Sequence, residues 1–415
     1  MIEPIVLARA LHIAATVLAA GTVGFMVLVA EAAFASAGGT ALAALRRRCN
    51  LMVWTALAVA ALSGAAWLAL LTADIYGAPV IAVWLHGGLW TVLTGTQFGA
   101  VWSARLALAL LLGLLLLSPA LRLPQLAAAG ALIALLAFVG HAGATPGMAG
   151  EAHLASDIAH LIAAGAWLGG LPALALLLLA RPGTDVAARA ARRFSILGVV
   201  SVATLIVSGL INSWYLLGGP RDLIDTGYGR VLALKLALFV AMLGIAAVNR
   251  FHLTPLLAAA GAQRALARNS LAEMTLGLGV VLLVGALGTM TPTAHNHLPP
   301  VDIPADAAFV HIHSEEAMAD VTVDPGRAGR ANVSIRVSNE DSSEFPTNDV
   351  HLSMDPPAAG PPPVDRSAVR QPDGTWTVDG IELPAPGNWT VRVIIAGNYG
   401  KKIVLDGPIV IERGP

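Results

Sequence analysis

Long apolar runs separated by short polar breaks fill the first 298 residues, and beyond them apolar and polar residues alternate in short strings. Eight runs are long enough to cross a bilayer, at about residues 5–30, 49–72, 103–118, 124–142, 154–180, 194–217, 229–249 and 270–291. A spanning helix needs about 20 apolar residues, and hydrocarbon offers no partner for an unpaired peptide group, so each run is predicted to be helical. The third is short, and its start could lie as early as Thr91. The first has no basic lead-in and exceeds the apolar core of a secretory signal, which predicts a retained helix. After Pro299-Pro300 the strings 331–337, 375–378, 389–395 and 402–405 alternate with period two. Asp373-Gly374 and Pro386-Gly387-Asn388 punctuate them, and together they predict a small β-sandwich. The fold class expected is a polytopic α-helical membrane protein of about eight spans (1–298) with a C-terminal extracytoplasmic β-sandwich (299–415).

Composition sharpens this picture. Of 415 residues 56% are hydrophobic and only 12% charged, half the density of a soluble domain, about 25%. The net charge of −1 hides a split: residues 1–298 hold 16 Lys and Arg against 9 Asp and Glu, and residues 299–415 hold 9 against 17. The tail is acidic and the membrane part basic, which argues against a nucleic-acid partner. If the N-terminus lies outside, the inner connections carry eleven arginines (46, 47, 48, 122, 181, 189, 192, 193, 250, 264 and 268) and the outer ones four (9, 105, 221 and 230). That bias predicts both termini on the extracytoplasmic side. Arg105 and Lys235 are expected to snorkel to the outer surface. The outward connection 73–102, with Trp84, His86, Trp90 and Trp102, is expected to lie on the membrane over the outer mouth.

On this topology His252 alone among eleven histidines is cytoplasmic. His12 and His160 fall inside spans, and the others lie outside or at the outer boundary. Neutral imidazole ligates Zn, Cu, Fe and Ni, and thioether sulfur favours Cu(I). His153 and His160, seven apart, share a helix face, His160 roughly 10 Å deeper. His141, Met148 and His153 fall in or beside one connection. His295 with His297, and His311 with His313, are i, i+2 pairs on one side of an extended chain, and Met290 precedes the first pair. With His86, the candidate copper ligands are eleven: His12, His86, His141, Met148, His153, His160, Met290, His295, His297, His311 and His313. An imidazole inside a span marks a path or a cofactor, or else a hydrogen bond between helices. Ser208 and Asn212, four apart, are expected to bond another helix, Gly169-Gly170 to allow close helix approach, and the single cysteine, Cys49, to pack. One cysteine excludes an internal disulfide and a thiolate cluster. The chain has no phosphate-cradling loop, Ser/His/Asp arrangement or HExxH sequence, arguing against ATP-driven transport by this chain alone.

Several stretches resemble the CopD family of copper resistance proteins: Arg9-Ala-Leu-His12, Asp157-Ile-Ala-His160 through Trp167-Leu-Gly-Gly-Leu171, Arg193-Phe-Ser195, Ser208-Gly209, and Tyr228-Gly-Arg230 through Lys235 to Asn249-Arg250. The tail is similar to the YtkA-like β-sandwich fused to some such proteins, through its strand pattern and Trp389. The resemblance implies an eight-helix inner-membrane copper permease working from periplasm to cytoplasm, not an enzyme, with a periplasmic copper-binding partner of CopC type. This chain begins directly at span 1, so delivery is expected to come from a separate protein or the tail. Two other readings stand beside it: a b-type haem electron carrier with His12 and His160 as axial ligands, and a membrane-anchored copper-binding or assembly protein that does not transport.

Overall fold

The computed structural model describes residues 3–35, 39–75, 79–85, 87–140, 147–259, 261–290, 292, 304, 306–313, 317–339, 345–356, 362–396 and 402–414. The chain forms two compact units, Met1–His295 and Asn296–Pro415.

Among the described residues of the first unit eight helices are long and apolar enough to cross a membrane: α1 Pro4–Ala33, α2 Gly39–Asp74, α3 Phe98–Leu115, α4 Arg122–Val139, α5 Gly150–Leu179, α6 Thr184–Leu216, α7 Gly227–Leu253 and α8 Ala262–Leu287. Each of the eight apolar runs becomes one of them. The third starts earlier than residue 103, because the 73–102 connection is itself helical at Val80–Leu85 and Gly88–Gly95 and turns at once into α3. In that connection Trp84 and Trp90 are exposed, whereas Trp102 is buried among the helices.

Helices α1 and α5 are the most enclosed of the eight. Their crossing is made by glycines. A methyl group on Gly21 would collide with the Gly165 carbonyl and the Gly169 backbone, and one on Gly169 with the Val17 carbonyl. Small residues let helix backbones touch in this way. At Gly169-Gly170 α5 breaks and restarts at Leu171, where Pro172 has no N–H to continue the ladder. A π-turn interrupts α1 at Met26–Ala30 and α7 at Asn249–Leu253. Arginines gather where α1 ends: Glu31 pairs with Arg46 (3.0 Å) and Arg122 (2.6 Å), and Arg189 donates to the Ala33 carbonyl (2.9 Å). Cys49 is fully buried in the same apolar cluster as Phe25, Trp167 and Phe194.

The second unit is all β. The five-stranded sheet runs β1 (Ala308–His313), β2 (Met318–Asp324), β3 (Gly329–Ser338), β7 (Trp376–Leu383), β6 (Val369–Arg370). The four-stranded sheet runs β5 (Val364–Ser367), β4 (Val350–Asp355), β8 (Gly387–Ala396), β9 (Lys402–Ile411). Every pairing between these strands is antiparallel. The two sheets share one apolar core, fed by alternate residues such as Ile403, Leu405, Ile409 and Ile411 of β9. Trp389 is wholly enclosed there, and its indole N–H donates to the Ala385 carbonyl at 3.0 Å, as a buried indole requires. Before β7, the Thr375 hydroxyl (2.6 Å) and amide (3.0 Å) both donate to Asp373, holding its carboxyl below the usual range, and Gly374 takes the left-handed conformation.

Candidate functional site

Helices α5 and α6 meet along a ladder of polar pairs. The His153 ring stacks on Tyr215 (4.7 Å, 15° between planes). One turn further, the Asn212 amide donates to the Asp157 carboxylate at 3.0 Å. At the next step His160 Nδ1 meets the Ser208 hydroxyl at 2.9 Å, and Ser156 donates to the Ser208 carbonyl at 3.3 Å. Positions 153, 157 and 160 advance along one face of α5 while their partners 215, 212 and 208 run back along α6. That is what i, i+4, i+7 spacing produces between antiparallel helices. The polar side chains that lipid would penalise are thereby satisfied by each other. Ser208 and Asn212 bond the neighbouring helix, as their spacing suggests.

The hydrogen bonds fix the tautomer of His160. Ser208 has one hydroxyl proton, and its oxygen lies 2.6 Å from the Thr204 carbonyl. An oxygen–oxygen approach that short needs the proton between them. The hydroxyl then accepts from His160 Nδ1–H, which leaves the lone pair on Nε2. Among the described residues none hydrogen-bonds that nitrogen. A neutral imidazole with Nδ1 held by a second residue and Nε2 open is the form that ligates metals. Lys235 lies within electrostatic reach of both Asp157 and His160, and Tyr228 within reach of Asp157. Met290 packs near Tyr228.

His12 has the same tautomer and a different fate. Its Nδ1–H donates to the Ala60 carbonyl at 2.8 Å, and its Nε2 accepts from Arg105 Nη2 at 2.7 Å. Arg105 also donates to the Leu132 carbonyl (2.6 Å) and the Thr16 hydroxyl (3.1 Å). The Arg105 side chain therefore does not snorkel. It is only 2% exposed, because His12, Thr16 and Leu132 give its guanidinium acceptors inside the bundle. Trp102 packs edge-on to His12 at 4.7 Å and Trp67 lies at 5.8 Å. Gly64 makes room for this, since a methyl group there would strike Trp102. Ligation by His12 requires Arg105 to leave first.

Of the other candidate ligands, His311 sits on β1 opposite Asp320 of β2, with Nδ1 to carboxylate at 2.6 Å. His86, His141, His295 and His297 lie outside the described residues. The side chains of Met148 and His313 do too, although Met148 is in the helix leading into α5 and His313 ends β1. Among the described residues no three His, Cys, Asp or Glu side chains converge as a metal site. Two carboxylates inside the spans, half-buried Asp157 and buried Glu273, were not singled out from sequence. Asp157 was visible only inside a motif. Glu273 of α8 is 1% exposed and accepts from Asn249 (2.5 Å), whose own oxygen accepts from Asn269 (2.9 Å). The signal for both was a lone acid in an apolar run.

Fold and site together define a multi-pass α-helical membrane protein that buries histidine-bearing polar clusters between its spans. Residues 188–287 match the family described as Copper resistance protein D, and residues 1–151 match Copper resistance protein D-like, N-terminal domain. The chain belongs to the copper resistance protein D family. It is 33% identical over 222 residues to Copper resistance protein D of Pseudomonas syringae pv. tomato, covering 48% of this chain and 71% of that protein. It is 35% identical over 171 residues to Inner membrane protein YebZ of Escherichia coli (strain K12), covering 40% and 59%. It is 26% identical over 315 residues to Copper transport protein CutJ of Bacillus subtilis (strain 168), covering 72% and 56%. The stretch 152–187, with His153, Asp157 and His160, lies between the two family ranges. No solved structure matches the chain.

Proposed function

We propose that this chain carries copper across a bacterial inner membrane, from periplasm to cytoplasm, by passing the ion between ligands rather than by catalysis. The carrying observation is His160: an imidazole inside a span with its proton committed to Ser208 and its Nε2 lone pair open. His153, one step toward the start of α5, and the outward His and Met residues (His86, His141, Met148, Met290, His295, His297) supply capture. Asp157 balances Lys235, so the neighbourhood of His160 presents no net charge against an incoming cation. Few ligands at each step suit a conduit, where an ion must bind well enough to enter and weakly enough to leave. A negative interior would drive the cation inward at about 2.3 kcal/mol per charge per 100 mV. The arginine bias supports a topology with both termini, and with them the β unit, in the periplasm. We read that unit as a YtkA-like domain that receives copper, through His311 and His313, from a partner of CopC type. Both copper states suit imidazole, and the methionines favour Cu(I).

Metal analysis and an absorption spectrum of the purified chain test this reading. Copper is expected to bind reversibly, with lower occupancy in His160→Ala and no Soret band. A Soret band lost in His160→Ala assigns the residue to haem and ends the copper proposal.

A further inference from the structure

We propose that the cluster on α1, α2 and α3 around His12 binds a small anion, either a halide or a carboxylate. Two guanidinium groups flank the Trp67–Trp102 pair there. Arg105 is enclosed, and Arg9 donates to the Gly288 carbonyl at 2.7 Å and lies 4.8 Å over the Trp67 ring. Among the described residues neither arginine has a carboxylate within ion-pair distance. Four N–H groups of the cluster are buried with no acceptor among the described residues: Arg9 Nε, Arg105 Nε, Trp67 Nε1 and Trp102 Nε1. The indole rings are 6.2 Å apart, and Arg105 lies 5.8 Å from the Trp102 ring, so the four belong to one locality.

The inventory is one-sided. Indole N–H and guanidinium N–H only donate, and buried donors are rarely left unmet. The acceptors at hand are already engaged: His12 Nε2, Thr16 Oγ1 and the Leu132 carbonyl by Arg105, the Ala60 carbonyl by His12, and the Gly288 carbonyl by Arg9. Water would accept from the orphan donors, yet its own protons would then need acceptors from that same engaged set. An anion needs none, and it offsets two positive charges that burial makes expensive. The same field repels a copper ion, which separates this site from the α5–α6 ladder. Close packing, with Trp102 filling the space Gly64 leaves, favours a small occupant.

The test uses the full chain in non-ionic detergent, exchanged into methanesulfonate at fixed ionic strength. Sodium chloride or sodium acetate then replaces that salt stepwise while the thermal midpoint is followed. The midpoint is expected to climb with the logarithm of anion concentration once the site is half filled. Arg9→Gln keeps a donor for Gly288 and removes one charge, so equal stabilisation should need about tenfold more anion. Trp67→Phe removes one orphan donor and should shift the response the same way. It keeps the comparison available if Arg9→Gln does not fold. A response to chloride alone defines a halide site, and a response to acetate admits carboxylates. A midpoint flat in both salts, or one that climbs equally in wild type and both variants, overturns the proposal.

Discussion

The two intramembrane histidines occupy the same tautomer and differ in what faces Nε2. At His12 the nitrogen is covered by Arg105 at 2.7 Å, inside a setting of indoles and guanidiniums. At His160 the ring is held from behind by Ser208, beside a carboxylate and an ammonium. Burial alone does not separate a ligand from a packing group. What faces Nε2 separates the two rings: Arg105 covers it at His12, and at His160 no hydrogen-bond partner among the described residues does.

The sharpest way to break that contrast is to remove each ring in turn. His160→Ala should insert and fold, and copper uptake in cells should fall to background. His12→Ala should lower stability by about 2 kcal/mol, since it strands a buried guanidinium donor of Arg105 and removes the ring packed against Trp102, and uptake should follow only the amount of folded protein. Radiocopper uptake normalised to membrane-inserted protein reads both, and equal specific losses in the two variants would erase the distinction. Ser208→Ala is the next step down. It keeps His160 and frees its tautomer, and copper affinity should drop about tenfold, in the range seen when a ligand's outer partner is lost. An unchanged affinity, measured by competition with a chelator, would mean that Ser208 does not orient the ring. The smallest effects are expected in the β unit. His311→Ala should weaken copper binding by that unit while His351→Ala leaves it unchanged. Titration calorimetry on the full chain and the two variants checks both outcomes.

The helices were legible because lipid enforces them: an apolar run of sufficient length has no other stable form. Strands β3, β7, β8 and β9 were legible from alternation, whereas β1, with its His311-Ile-His313 string, read first as a ligand pair and only in the structure as a sheet edge paired with β2. Along α5 the shared face of His153 and His160 followed from spacing. Its partner helix did not, since nothing in a one-dimensional pattern says that α6 packs there. The covering of His12 was hidden for the same reason, with Arg105 93 positions away, and an arginine near a span end reads as a surface group until acceptors are found for it.

The glycine contact between α1 and α5 has a mechanical consequence. Gly21, Gly165 and Gly169 bring main chain against main chain, with no side chain to compress and none to fill a gap if the helices part. α1 carries His12 and α5 carries His160, so the two clusters sit on helices joined backbone to backbone. Sliding one helix past the other would drive a carbonyl into a neighbouring backbone.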